Sequence, residues 1–154
     1  MKEKVFPEIR ARTLSGKDVT FPDTTSGEVA LVAVAFVRGA QIMLDSWTEP
    51  FERACREDGV YEVPMIEGSL WKLMSGFIDS GMRSGIPEKK HDNVATYYGD
   101  TKKIRDELGI RDASIGYVYL LDEKGTIIFE GKGYADEAGI KEMLEAAGNS
   151  CKIK

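Results

Sequence analysis

Sulfur and imidazole are the scarce reactive groups of this sequence, which has two cysteines, Cys55 and Cys151, and one histidine, His91. A thiol exchanges disulfides or reduces peroxide only where a neighbouring cation, a partner thiol or a helix N-terminus lowers its pKa. Cys55 and Cys151 stand far apart, at a spacing that matches neither a zinc knuckle nor a disulfide-rich scaffold. They read as reduced thiols of a cytoplasmic protein, Cys55 as a small core residue late in a helix and Cys151 as an exposed thiol in a polar tail. His91 lies between Lys90 and Asp92. Acid–base or metal chemistry there would need partners that the spacing does not supply, so His91 reads as a loop-bracing residue and neither a metal nor another cofactor is expected. Arg38 ends the longest apolar run. The carboxyl end of a central strand is where α/β folds tend to bind ligands, which makes Arg38 the leading candidate for a polar contact.

The elements that must position these residues follow from periodicity. Ile9, Ala11, Thr13, Val19 and Phe21 alternate around Ser15–Asp18, as a half-buried hairpin requires. Val29 to Val37 is a nearly unbroken apolar run, the mark of a parallel strand covered on both faces. Met43, Trp47, Phe51 and Ala54 then recur at helical spacing between about Ile42 and Arg56, with a kink or two pieces expected at Pro50. Val60–Ile66 reads as a strand, and Ser69 opens a helix that ends near Gly81. A Gly-Pro-charge stretch, Ser84–Asp92, precedes a third parallel strand, Val94–Tyr98. Asp100 or Thr101 caps a short helix before Gly109. Tyr117–Leu121 and Thr126–Glu130 flank the hairpin turn Asp122–Gly125, and Asp136 caps a last helix stopped by Gly148. Alternating strands and helices make this an α/β domain, a central mixed sheet flanked by helices, with an N-terminal β-hairpin.

Size and charge bound the functions. A 154-residue chain suits one domain and buries roughly 68–70% of its unfolded surface without staples. Residues 1–148 form that domain, and residues 149–154 are a polar C-terminal tail. A net charge of -5 without a basic stripe argues against nucleic acid as a partner. The run Val29–Val37 falls far short of the ~20 residues that span a bilayer. The N-terminus lacks a cationic region followed by an apolar segment and a cleavage site, so secretion by that route is not expected.

Four stretches carry a resemblance: Asp45–Phe51, Ser84–Glu88 with His91, Tyr98–Asp100 and Gly116–Asp122. With the opening Phe6-Pro7-Glu8-Ile9 and the Leu121–Gly125 turn, the order is similar to a thioredoxin fold carrying the N-terminal hairpin of peroxiredoxin-like proteins. More narrowly, from about residue 5 to 145 the chain resembles the mitochondrial ATPase assembly factor ten family. The resemblance implies a thioredoxin-like domain that helps assemble an F-type ATP synthase by chaperoning a hydrophobic subunit of its membrane sector. Mitochondrial members need a presequence, and a chain that starts almost at the domain looks like a bacterial or archaeal relative whose client differs.

In such a fold the reactive thiolate lies at the N-terminus of the helix after the central strand, where the helix dipole stabilises negative charge. Here that corner reads Arg38-Gly39-Ala40-Gln41-Ile42-Met43, without cysteine or serine. The opposite wall is normally a cis-proline loop, and the matching residue is Gly116, with Tyr117 expected to face the same corner. Trp47 could project at a partner, though its apolar stripe favours the core. The reading is a non-redox binding or assembly module with a protein client such as a membrane-complex subunit, whose candidate contacts are Arg38, Trp47, His91, Gly116 and Tyr117. Two alternatives stand beside it: an atypical thiol peroxidase or disulfide reductase using Cys55 or Cys151, and an enzyme of other chemistry built on Arg38, His91 and nearby carboxylates.

Overall fold

The computed structural model describes residues 4–55, 57–68, 81–82 and 84–148. Strands β1 (Ile9–Thr13) and β2 (Asp18–Phe21) form the opening hairpin, with Ile9, Ala11 and Thr13 buried and Arg10 and Arg12 exposed. β3 (Ala30–Ala35) is buried almost throughout, because it lies between β4 (Val60–Glu67), which runs parallel to it, and β6 (Tyr117–Leu121), which runs antiparallel. β5 (Ala95–Gly99) pairs parallel with β4 and antiparallel with β1, and β7 (Ile127–Lys132) closes the far edge against β6. The strand order of this seven-stranded mixed sheet is β2-β1-β5-β4-β3-β6-β7.

Both faces of the sheet are covered. On one, Val32, Val34, Val63 and Met65 pack with Tyr119 and with α2 (Thr101–Leu108) through Ile104 and Leu108. On the other, Leu31, Ala33, Val118 and Leu120 meet α1 (Gln41–Ala54) and α3 (Glu137–Ala147) through Leu44, Trp47, Phe51 and Met143. Short-range chemistry fixes the ends. Asp100 caps α2 by accepting from the Lys103 amide at 3.1 Å, and Gly109 closes it at φ 71°. Asp136 caps α3 through the Gly139 amide at 2.7 Å. In the β6–β7 turn, Asp122 Oδ1 accepts from the amides of Lys124 at 2.9 Å and Thr126 at 3.0 Å.

An N-terminal strap crosses the α2-side face before β1 begins. The Phe6 ring packs tilted against Tyr119 at 5.6 Å, its amide donates to the Gly125 carbonyl at 3.0 Å, and the Ile127 amide donates to the Lys4 carbonyl at 2.7 Å.

Two expectations are corrected. Of the kink or two pieces expected at Pro50, the two pieces are not formed: α1 runs as one helix through it, since Trp47, Thr48 and Phe51 anchor it on both sides of the lost donor. Its buried stripe is Leu44, Trp47, Thr48, Phe51 and Cys55, with Met43 only half-buried, so the inward face is rotated from the one read off Met43 and Ala54. The helix expected to open at Ser69 and end near Gly81 lies outside the described residues, apart from the helical residues 81, 82, 84 and 85.

Candidate functional site

The corner at the start of α1 is built by β3, a short 3-10 turn at Arg38–Ala40 and the first turn of α1. Ala40 at the N-cap offers no side-chain oxygen. The facing loop ends in Gly116, where an added Cβ would lie 2.6 Å from Leu44 Cδ2, 3.1 Å from its Cγ and 3.2 Å from the Ala40 carbonyl. The corner is therefore packed shut by Leu44, and the peptide at Gly116 is trans, the one cis bond among the described residues being Phe21–Pro22. Around the closed corner Val37 and Ile42 stay exposed beside Arg38.

Trp47 is buried, so its surface is spent on the core rather than on a partner. Its ring packs on Phe129 at 5.6 Å and fills the space left by Gly131 and Gly139, where a Cβ would come within 2.7 Å and 2.8 Å of the indole. Its Nε1 donates to the Gly133 carbonyl at 2.9 Å, and the Gly133 amide donates to the Gly116 carbonyl at 2.9 Å. Trp47 thus holds the Gly116 loop from behind. Tyr117 does not share that corner. Successive strand residues point to opposite faces, so Gly116 meets α1 while Tyr117 enters the core on the α2 side, where its hydroxyl donates to the Asp112 carbonyl at 2.7 Å. His91, half-buried, braces its loop: Nε2 lies 2.9 Å from the Ile86 carbonyl, a partner that can only accept, so this nitrogen carries the proton.

Cys55 is buried at the C-cap of α1, its amide donating to the Phe51 carbonyl at 2.8 Å, as a core residue should be. It is also disulfide-bonded, which overturns the expectation of a reduced thiol. Spacing along a chain says nothing of which residues a fold brings together. Cys151, the other cysteine, lies outside the described residues.

Beyond Arg38 a groove of about 1020 Å³ runs along α1, floored by Ala35, Val60, Pro64 and Ile66, with the loop that His91 braces on its far side. Its helix wall carries Gln41, Asp45, Glu49 and Glu52. From β4, half-buried Glu62 joins them. Gln41 Nε2 donates to Glu62 Oε1 at 3.1 Å and to Asp45 Oδ1 at 3.2 Å, so one amide draws two carboxylates together. Burial raises the Glu62 carboxyl pKa; the Gln41 hydrogen bond opposes this, and the Asp45 charge adds to it. Lys90 is drawn to Glu52 at 3.7 Å. Among the described residues no group of histidine, cysteine and carboxylate side chains could hold a metal ion.

The sequence over residues 1–149 matches the ATP10 proteins. The chain belongs to the ATP10 protein family. No curated protein matches it. Its structure is similar to a DsbE-type thiol:disulfide interchange protein from Chlorobium tepidum, with TM-score 0.61 and 15% identity over 96% of this chain and 99% of that one. It is equally similar to BsSco, of the Sco family of cytochrome c oxidase assembly proteins, with TM-score 0.61 and 13% identity over 99% and 96% of the two chains. The lipoprotein thioredoxin Etrx1 from Streptococcus pneumoniae follows at TM-score 0.57 and 14% identity, over 90% and 98%. At such identities the likeness establishes the fold, which is thioredoxin-like.

In this ATP10 protein, Arg38 and the loop held by His91 border one groove, Trp47 and Gly116 are joined through Gly133, and Tyr117 lies across the sheet from them. Sequence reasoning passed over Glu62. The signal was there: in a strand covered on both faces, Glu62 shares its side with Val60 and Ile66, where water-facing charge has no place.

Proposed function

We propose that this protein is a non-redox binding module that assists assembly of an F-type ATP synthase by holding a subunit of the membrane sector. The observation that carries this reading is the closed corner: where a thioredoxin fold keeps its reactive sulfur, this chain has Ala40 and Leu44 packed on Gly116. Membership of the ATP10 family supports the client class. No helix of the described residues is long and apolar enough to cross a membrane, so the domain would meet its client from outside the bilayer. Cys55 in a disulfide favours an oxidising compartment over the cytoplasm expected from the sequence. Deleting the gene and isolating the ATP synthase from native membranes tests the reading. Loss of assembled membrane sector, with its subunits recovered on the tagged protein, is expected; normal assembly overturns it.

The disulfide at Cys55 favours a second reading, thiol–disulfide exchange. Cys55 is buried at the C-terminal end of α1, out of reach of an attacking substrate thiol. Insulin-disulfide reduction by the purified protein decides between them: no turnover is expected, and turnover lost in Cys55→Ser would establish the exchange reading.

A further inference from the structure

We propose that the groove between α1 and β4 binds an extended, apolar protein segment that carries one lysine or arginine, whose cation is received between Glu62 and Asp45. This deepens the assembly reading above by stating the chemistry of the client segment at one place.

The dimensions select a peptide. Groove-lining positions on α1 run from Gln41 to Glu52, and at about 1.5 Å per residue this wall is roughly 17 Å long. An extended chain rising about 3.3 Å per residue covers that length with roughly five residues. A volume of about 1020 Å³ also sits at the top of the 300–1,000 Å³ range of small-molecule sites. The floor and far side, with Ala35, Val60, Pro64, Ile66, Met82 and Ile86, are apolar, and a methionine such as Met82 adapts to varied side chains.

Charge selects the cation. Asp45, Glu49 and Glu52 line the helix wall and Glu62 faces them from the strand. The groove's own cations do not neutralise the inner pair: Lys90 pairs with Glu52 at 3.7 Å and acts on Glu62 less than the Asp45 charge does, and Arg38 is exposed at the mouth. Asp45 and Glu62 are left sharing one neutral amide donor from Gln41. Two converging carboxylates beside apolar floor repel each other, and an incoming ammonium or guanidinium relieves that repulsion. Segments that leave a bilayer combine these traits, since apolar residues there give way to lysine and arginine.

The test uses the purified full chain and fluorescein-labelled five-residue peptides: leucine-valine-lysine-valine-leucine, and the same with norleucine for lysine. Anisotropy should show the lysine peptide binding at least about tenfold tighter, and Glu62→Gln should remove that preference without changing norleucine-peptide binding. Asp45→Asn, at a half-buried position of α1, is the second variant should Glu62→Gln fail to fold, and it should narrow the preference in the same direction. Equal binding of the two peptides, binding of neither, or a preference that survives both variants overturns the proposal. These outcomes are independent of the deletion strain: a lysine preference with normal ATP synthase assembly removes the client, while assembly failure without the preference removes the groove.

Discussion

If Leu44 fills the space that a loop side chain would otherwise occupy, then the smallest addition to Gly116 must collide with it. Gly116 has no positive φ, so alanine fits its backbone, and the lost freedom of the unfolded chain by itself stabilises by about 0.4–1 kcal/mol. Against this, the new methyl would sit 2.6 Å from Leu44 Cδ2, and Leu44, only 2% exposed, has no solvent side to move into. Overpacking of this kind costs about 1–3 kcal/mol, so Gly116→Ala should destabilise by about 1–2 kcal/mol net. Leu44→Ala should cost about 2–5 kcal/mol as a cavity. In that background the collision is gone, and adding Gly116→Ala should be neutral or stabilising, giving a coupling of about 1–3 kcal/mol. Urea unfolding of the four proteins reads all these terms. Equal cost of Gly116→Ala in both backgrounds would refute the closed corner.

Other expectations follow from the same geometry. Trp47→Ala should lose about 3–5 kcal/mol, because it empties the space between Gly131 and Gly139 and strands the Gly133 carbonyl; a urea-unfolding loss below about 1 kcal/mol would contradict the packing. Asp136→Ala should cost about 1 kcal/mol by freeing the Gly139 amide, read by thermal melting, with no change in melting temperature counting against the cap. Reduction with a phosphine should lower stability by about 2–4 kcal/mol through the Cys55 disulfide, and a thiol titration of the unreduced, denatured protein should find none at Cys55. Glu62 has a folded pKa above its ordinary 4.5, so the native state holds this proton more tightly than the unfolded chain does. Stability should fall as pH rises from about 4.5 through the folded pKa, and Glu62→Gln should gain on wild type across that window while matching it at lower pH. Melting curves from pH 4 to 8 check this, and a constant difference between the two proteins would contradict it.

What could be read from the sequence was local. The Asp100 and Asp136 caps, the Gly109 stop and the Asp122–Gly125 turn each rest on contacts within four residues, and each stands as the spacing predicts. The apolar run of β3 likewise announced a strand covered twice. The candidate site was legible only in part because it depends on faces and on pairings between distant residues. The inward direction of α1 is set by Trp47 meeting Gly131 and Gly139, which no helical period reveals, so Met43 was taken for a core position that Leu44 holds. Tyr117 was assigned to the corner of Gly116 although the strand bounds were read correctly, because adjacent residues of an extended chain point to opposite faces and only one of the two can meet α1. The groove arises where α1 passes β4, and its key carboxylate lies in a strand whose inner side is otherwise apolar.

The strap that pairs Lys4 and Phe6 with the β6–β7 turn has a consequence for how the protein is made. A ribosome delivers Phe6 first and Tyr119 only after most of the domain has emerged, and β3 likewise waits for β6 to cover its second edge. Until then the nascent chain shows an apolar strand with one open side, the kind of surface that aggregates or recruits a holdase. Fastening the leader to the last hairpin makes completion of the sheet a late, single event, so a chain truncated before that turn should fail to fold rather than fold in part.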